Sequence, residues 1–232
     1  MISTSNYNKT NIALFVALLF HTAGLIGILW IDKKAFAALT SLNMLVMLGL
    51  IAWTHHQKNP AFYLFVFICF ATGFIAETIG IHTGYLFGNY VYGGALGYKL
   101  KEVPLLIGVN WFIIMYCCGT ALHMLQQKIR SRLLPEDISS YTWWSHASIV
   151  IDGALLAVFF DWIMEPVAIA LDFWRWDGNV IPTLNYISWF GVSTLLLIFF
   201  SMLRFNKTNI FAVYLLLIQF MFFLILRTLL PL

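Results

Sequence analysis

Seven apolar runs, each close to the length that crosses a bilayer, follow one another along 232 residues with only brief polar interruptions. A helix needs roughly twenty consecutive apolar residues to span hydrocarbon. In that medium each backbone N–H and C=O must be satisfied internally, which leaves helices as the economical solution. The runs predict helices over 11–31, 36–53, 61–81, 104–126, 147–171, 184–203 and 210–230, and the whole chain, 1–232, is expected to form one all-α, polytopic transmembrane domain. Charged residues make up only 10% of the chain, against about 25% in a soluble domain.

The interruptions are chemically suited to end helices: Asp32-Lys33-Lys34, Gln57-Lys58-Asn59-Pro60, Gln126 to Asp137 and Arg204 to Asn209 collect charge and turn formers. The first run lacks a small-residue cleavage site and is expected to remain in the protein. Seven spans place the termini on opposite faces. The N-terminal face then carries Lys9, Lys58, Lys128, Arg130, Arg132, Arg204 and Lys207, and the other face Lys33, Lys34, Lys99, Lys101, Arg175 and Arg227. The near balance leans only slightly toward a cytoplasmic N-terminus, with the cell membrane as the expected location. No basic stripe supports nucleic-acid binding. Cys69, Cys117 and Cys118 lie within apolar runs without CxxC spacing, so they read as packing residues.

Two connections, 82–103 and 172–183, are rich in glycine and aromatic residues, among them Tyr85, Tyr90, Tyr92, Tyr98, Trp174 and Trp176, and fall on the same face. Interfacial anchoring accounts for such rings by itself. No internal repeat is apparent along the chain, which weighs against a repeat-built transporter.

The acids are distributed with more purpose. Glu77, Asp152, Asp161 and Glu165 fall inside predicted spans, where an ionised carboxylate costs a few kcal/mol and is functional by default. No Lys or Arg lies between Pro60 and Tyr98, or between Leu133 and Trp174, so these acids have no cationic partner on their own helices. Burial and mutual repulsion both disfavour the charged form, leaving at least one acid available as a proton donor. Asp161 and Glu165 share a helix face, and Asp172 returns close to it, whereas Asp152 is about half a turn out of phase. Gly153 and Pro166 permit distortion, and Pro166 frees the carbonyl four residues earlier. The competing role for such acids is helix–helix hydrogen bonding, worth about 1 kcal/mol or less in a membrane.

His82, five residues after Glu77, stands where it could join that acid. His55, His56, His123 and His146 flank polar connections and read as solvated. Neither Glu-x-x-His pairs nor dense histidine clusters occur, so no metal is expected.

The segments "ETIGIHTGYLFGNYVY" (77–92), "VPLLIGVNW" (103–111) and "DWIMEPVAIALDFWRWDGNVIPTLNYISWF" (161–190) resemble the carotenoid biosynthesis membrane-protein family that includes the CruF-type carotenoid 1,2-hydratases and the bisanhydrobacterioruberin hydratases. The chain carries Glu165-Pro166 where the family pattern has Asp-Pro, and Pro182-Thr183-Leu184-Asn185 is a looser form of its Pro-x-x-Asn. The resemblance implies addition of water to the C1–C2 double bond of an acyclic carotenoid end, giving a tertiary alcohol. Such a reaction needs a neutral acid in a dry pocket, groups that stabilise a cation, and one admitted water. Asp161 or Glu165 is the expected proton donor, the two acting as a coupled pair. Glu77 with His82 forms the second candidate group, and Asp152 a further one. Tyr90, Tyr92, Trp174 and Trp176 are expected to line the end-group pocket and face the cation, with Asn89 and Asn185 as water ligands. The expected partners are a carotenoid, water and the lipid bilayer; hydration is redox-neutral and calls for no cofactor. A carotenoid or other isoprenoid cyclase would begin with the same protonation, and a proton-coupled transporter or scaffold would also bury acids.

Overall fold

The computed structural model describes residues 4–133 and 141–231, and among them seven helical segments are long and apolar enough to cross a membrane. The chain is a multi-pass all-α bundle. Helix α1 (Thr4–Ile26) continues through a π-helical turn to Ile31. The second span is broken at Leu39 into α2 (Lys33–Ala38) and α3 (Thr40–Thr54), where the sequence predicted one helix. Asp32 caps α2 by accepting the Ala35 N–H at 3.0 Å. At the start of α4 (Pro60–Thr83), Asn59 accepts the Phe62 N–H at 3.0 Å and Pro60 sits where its missing N–H costs nothing. Gly84, at φ 69°, closes the other end.

Helices α5 (Leu106–Leu133) and α6 (Tyr141–Ala170) run past their apolar stretches into polar residues. Gln, Lys and Arg are good helix formers, so the apolar run marks the membrane and not the helix. Glu136 and Asp137, expected in this connection, lie outside the described residues. Helices α7 (Thr183–Met202) and α8 (Ile210–Leu229) complete the bundle. Residues 111–120 of α5 are buried without interruption, and α5 packs on α3, α4, α6, α7 and α8. A helix apolar on all sides belongs in the middle. Cys117 and Cys118 are buried there as free thiols, as is Cys69 on α4.

The two aromatic connections do not merely rest at the interface. Strand β1 (Tyr90–Tyr92) pairs antiparallel with a strand after α6, while β2 (Lys99–Leu100) and β3 (Val103–Pro104) form a separate hairpin. The partner of β1 is β4 (Trp174–Trp176), with Tyr90 opposite Trp176 and Tyr92 opposite Trp174. Alternation along each strand turns Tyr90, Tyr92, Trp174 and Trp176 inward and Val91 and Arg175 outward. Asp172 makes the turn into β4: at φ 58° it ends α6, and the Phe173 N–H reaches back to the Ala168 carbonyl at 2.9 Å. Its carboxylate pairs with Arg175 at 2.7 Å on the exposed side, away from the Asp161 stripe. Gly93 is required beside this turn, because a Cβ there would meet the Asp172 carbonyl oxygen at 1.9 Å.

A repetition that the sequence reading did not find becomes plain at this level. The unit α4–β1–α5 and the unit α6–β4–α7 share one order: a helix with a glutamate near its end, an aromatic-x-aromatic strand, then a helix introduced by proline. Pro104 precedes Trp111 by seven residues, and Pro182 precedes Trp189 by the same number. The two tryptophans stack with centroids 4.2 Å apart.

The carbonyl freed by Pro166 belongs to Trp162. It accepts a hydrogen bond from the Arg227 guanidinium at 2.6 Å, and that guanidinium lies 4.1 Å over the Trp162 ring. Helix α8 thus supplies the donor that proline withholds.

Candidate functional site

Glu77 is buried on the face of α4 that also presents Gly73 and Gly80. Gly73 lets α5 come close, since a Cβ there would strike Trp111 at 2.4 Å. The result is that Trp111 Nε1 donates to Glu77 Oε1 at 3.1 Å. From β1, the Tyr92 hydroxyl donates to Oε2 at 2.8 Å and the Tyr90 hydroxyl donates to the same oxygen. Burial, and then the adjacent carboxylate, push both phenols well above their ordinary range, so each stays protonated and donates.

Glu165 is held in the corresponding way by the second unit. Trp174 and Trp176 donate their indole N–H groups to Oε2 at 3.0 and 2.8 Å, and Asn185 Nδ2 donates to Oε1 at 3.2 Å. The same Asn185 amide donates to Asp161 Oδ2 at 2.7 Å and so joins the two carboxylates of α6. Asp161 Oδ1 is buried with no hydrogen-bond partner. Each glutamate is encircled by three donors, whereas Asp161 retains an uncommitted oxygen.

Glu77, Glu165, Asn110 and Asn185 share one small cavity, closed by the rings of Phe87, Tyr90, Tyr92, Trp174, Trp176 and Trp189. Its volume, ≈ 20 Å³ of space for a water centre, admits about one water. The repeat places matched positions on the two sides of the cavity, with different side chains at several of them. Gly73 stands four residues before Glu77 where Asp161 stands before Glu165, and Ile107 stands four before Trp111 where Asn185 stands before Trp189. The hydrogen-bonded pair Asp161–Asn185 is what the second unit has and the first lacks.

Of the residues singled out in the sequence, Glu77, Glu165, Tyr90, Tyr92, Trp174, Trp176 and Asn185 line this cavity, and Asp161 joins it through Asn185. Three candidates lie elsewhere. His82 is exposed and bonds the Thr78 carbonyl at 2.8 Å instead of Glu77. Asp152 is exposed and accepts from Ser148 one turn earlier, as its phase on the helix implies. Asn89 is exposed, and its backbone carbonyl accepts the Asp177 N–H at 3.0 Å. The sequence reading passed over Trp111, Asn110 and Trp189, although the first two lie in the quoted "VPLLIGVNW". Among the described residues no group of three His, Cys, Asp or Glu side chains is arranged to hold a metal ion.

His55 departs from its expected solvation. It is buried, bonds the Tyr116 hydroxyl at 2.7 Å and stacks on Phe62 at 3.9 Å. Burial, with smaller contributions from His56 and Lys58, lowers its pKa to about 4. Asn209 joins the same cluster through Tyr116 at 3.3 Å and Thr54 at 3.1 Å.

A family model described as "Carotenoid biosynthesis protein" matches residues 35–231. No curated protein and no solved structure matches the chain.

Proposed function

The chain belongs to the carotenoid biosynthesis protein family, and from that premise we propose that it is a carotenoid hydratase, adding water to the terminal C1–C2 double bond of an acyclic end group. The observation that supports this most is a small space for about one water lined by Glu77 and Glu165, with Asn185 linking Glu165 to a second buried acid, Asp161, that has an oxygen without a hydrogen-bond partner. Protonation of C2 generates a tertiary cation at C1, and what quenches that cation decides the product.

Asp161 is the proton donor in this mechanism. Its Oδ2 is held by Asn185 while Oδ1 has no hydrogen-bond partner, so a proton on Oδ1 is not engaged by another acceptor and is the one given to the alkene. Glu165, ringed by indole and amide donors, stays an acceptor and takes the proton released when water bonds to C1. Proton transfer from Glu165 to Asp161, which Asn185 holds close to each other, restores the starting state. The sum is one alkene and one water converted to one alcohol, without electron transfer. Glu77 and the aromatic rings stabilise positive charge at C1. The existing space fits water and not an end group, so the alkene enters by displacing part of the aromatic cover formed by β1 and β4. A cyclase shares the protonation step but has no use for a water site within its acid cage, which favours the hydratase reading.

Expression in cells that accumulate lycopene, grown in heavy-oxygen water, tests the proposal by pigment mass spectrometry. The expected product gains the mass of water, with oxygen from the solvent. An isomer of unchanged mass points to cyclisation, and label from molecular oxygen overturns hydration altogether. Asp161→Asn is expected to lower turnover by about 10²–10⁴, the usual worth of a positioned acid, while membrane accumulation is unchanged. Glu165→Gln is expected to lose most turnover as well. Wild-type turnover in both variants would remove these acids from the mechanism.

A further inference from the structure

At the end of the bundle opposite the acid cage, the last turns of α5, the start of α6, the end of α7 and Lys207 enclose a cavity of ≈ 230 Å³. Its lining includes Arg130, Lys207, His123 and His146, together with Gln127 and Ser201, and among the described residues no carboxylate. His146 Nδ1 and Ser201 Oγ are hydrogen-bonded at 2.5 Å, and Gln127 bonds His123 at 3.0 Å, so the wall is ordered from within. Lys207 is half-buried, its ammonium donating to the Leu203 carbonyl at 2.7 Å and lying 4.9 Å over the Phe205 ring. Burial lowers its pKa, a cost that an anion beside it would offset.

His146 and Ser201 also line a second, open groove of ≈ 680 Å³ between α6 and α7, whose other walls are Ala147, Val150, Ile151, Ile198 and Met202. A polar basic pocket therefore adjoins an apolar groove across the His146–Ser201 pair. Free phosphate matches the first part alone, and a neutral lipid the second alone.

We propose that the pocket binds the phosphate of an acidic phospholipid, with one acyl chain lying in the adjoining groove. Arg130 and Lys207 meet the phosphate as charge-assisted donors, and the histidines and Ser201 complete the polar wall. The site lies at the membrane face that carries seven of the thirteen Lys and Arg residues, where juxtamembrane cations attract anionic headgroups. It stands apart from the acid cage, so its existence does not depend on the hydration chemistry.

The test uses the full chain, delipidated in detergent, with bound ligand counted by native mass spectrometry after addition of phosphatidylglycerol, phosphatidylcholine or inorganic phosphate. Phosphatidylglycerol is expected to bind in preference to phosphatidylcholine. Arg130→Gln and Lys207→Gln are each expected to weaken it about fivefold, while Lys207→Arg retains it. Ile151→Trp, which fills the groove, is expected to weaken the lipid without altering inorganic phosphate. The exposed His146→Gln gives an independent reading should Lys207→Gln not fold, and Glu136 and Asp137 are left in place in every variant. Equal binding of the two lipids, or charge variants that bind as wild type, overturns the proposal. Displacement of the lipid by millimolar inorganic phosphate would overturn the lipid assignment in favour of a simple anion site.

Discussion

Replacing Glu77 by leucine keeps the volume of the side chain and removes the acceptor for three buried donors, the Tyr90 and Tyr92 hydroxyls and Trp111 Nε1. An unsatisfied buried donor costs about 1–3 kcal/mol, so the loss is about 3–9 kcal/mol, toward the lower figure if the two tyrosines turn to each other. Against a typical stability of about 5–15 kcal/mol this is severe. Glu77→Gln keeps one acceptor oxygen, and its amide can donate to a tyrosine oxygen, so about 1 kcal/mol is expected. Thermal unfolding in detergent, followed by circular dichroism, should rank wild type above Glu77→Gln and both far above Glu77→Leu. The decisive comparison adds Trp111→Phe and Tyr92→Phe to Glu77→Leu. Removing orphaned donors should return stability, because an apolar replacement of both partners is nearly neutral. If the added phenylalanines lower stability further, the carboxylate is not what those donors require, and the reasoning fails.

Arg227→Ala leaves the Trp162 carbonyl without its donor and should cost about 1–3 kcal/mol; adding Pro166→Ala, which restores an N–H to that carbonyl, should recover part of it. Arg227→Lys should fall between, having charge but no planar group to stack on Trp162; a midpoint equal to wild type for Arg227→Ala would refute this. His55, with a folded pKa of about 4 below its ordinary 6.5, binds a proton more readily when unfolded. The stability it confers is therefore complete above pH 6.5 and declines as pH falls toward 4. The thermal midpoint of His55→Gln should fall less than that of wild type across that window, and equal slopes would refute the assignment.

The spans were legible because hydrophobic length is a local property, and the membrane leaves few alternatives. Asp161 and Glu165 were legible as a pair because four residues return a helix to the same face. What β1 and β4 do could not be read in this way. Their central partners lie 84 residues apart, as Val91 and Arg175 show, and three-residue strands leave little periodic signal. The same rings that suggested interfacial anchors or cation-facing walls also donate to carboxylates through O–H and N–H. That role depends on which edge of the ring meets the acid. The repeat was hidden for a related reason: "VPLLIGVNW" and "IPTLNYISW" share little beyond the proline and tryptophan at matched spacing. His55 was misplaced because its polar neighbours in sequence are not its neighbours in space, where Phe62 and Tyr116 enclose it.

The separation of the two donor sets bears on how the protein is made. Among the described residues, the donors to Glu77 come from residues 90–111 and the donors to Glu165 from 174–185. Neither acid waits for a distant part of the chain, since each is followed during synthesis by the groups that will make it tolerable in lipid. The halves can thus mature one after the other as they leave the insertion machinery, and β1–β4 pairing then joins two pieces that are already sound. A chain divided within 134–140 and expressed as two fragments should assemble in the membrane, whereas a division between α4 and β1 should leave Glu77 without donors on its own fragment and send that fragment to degradation.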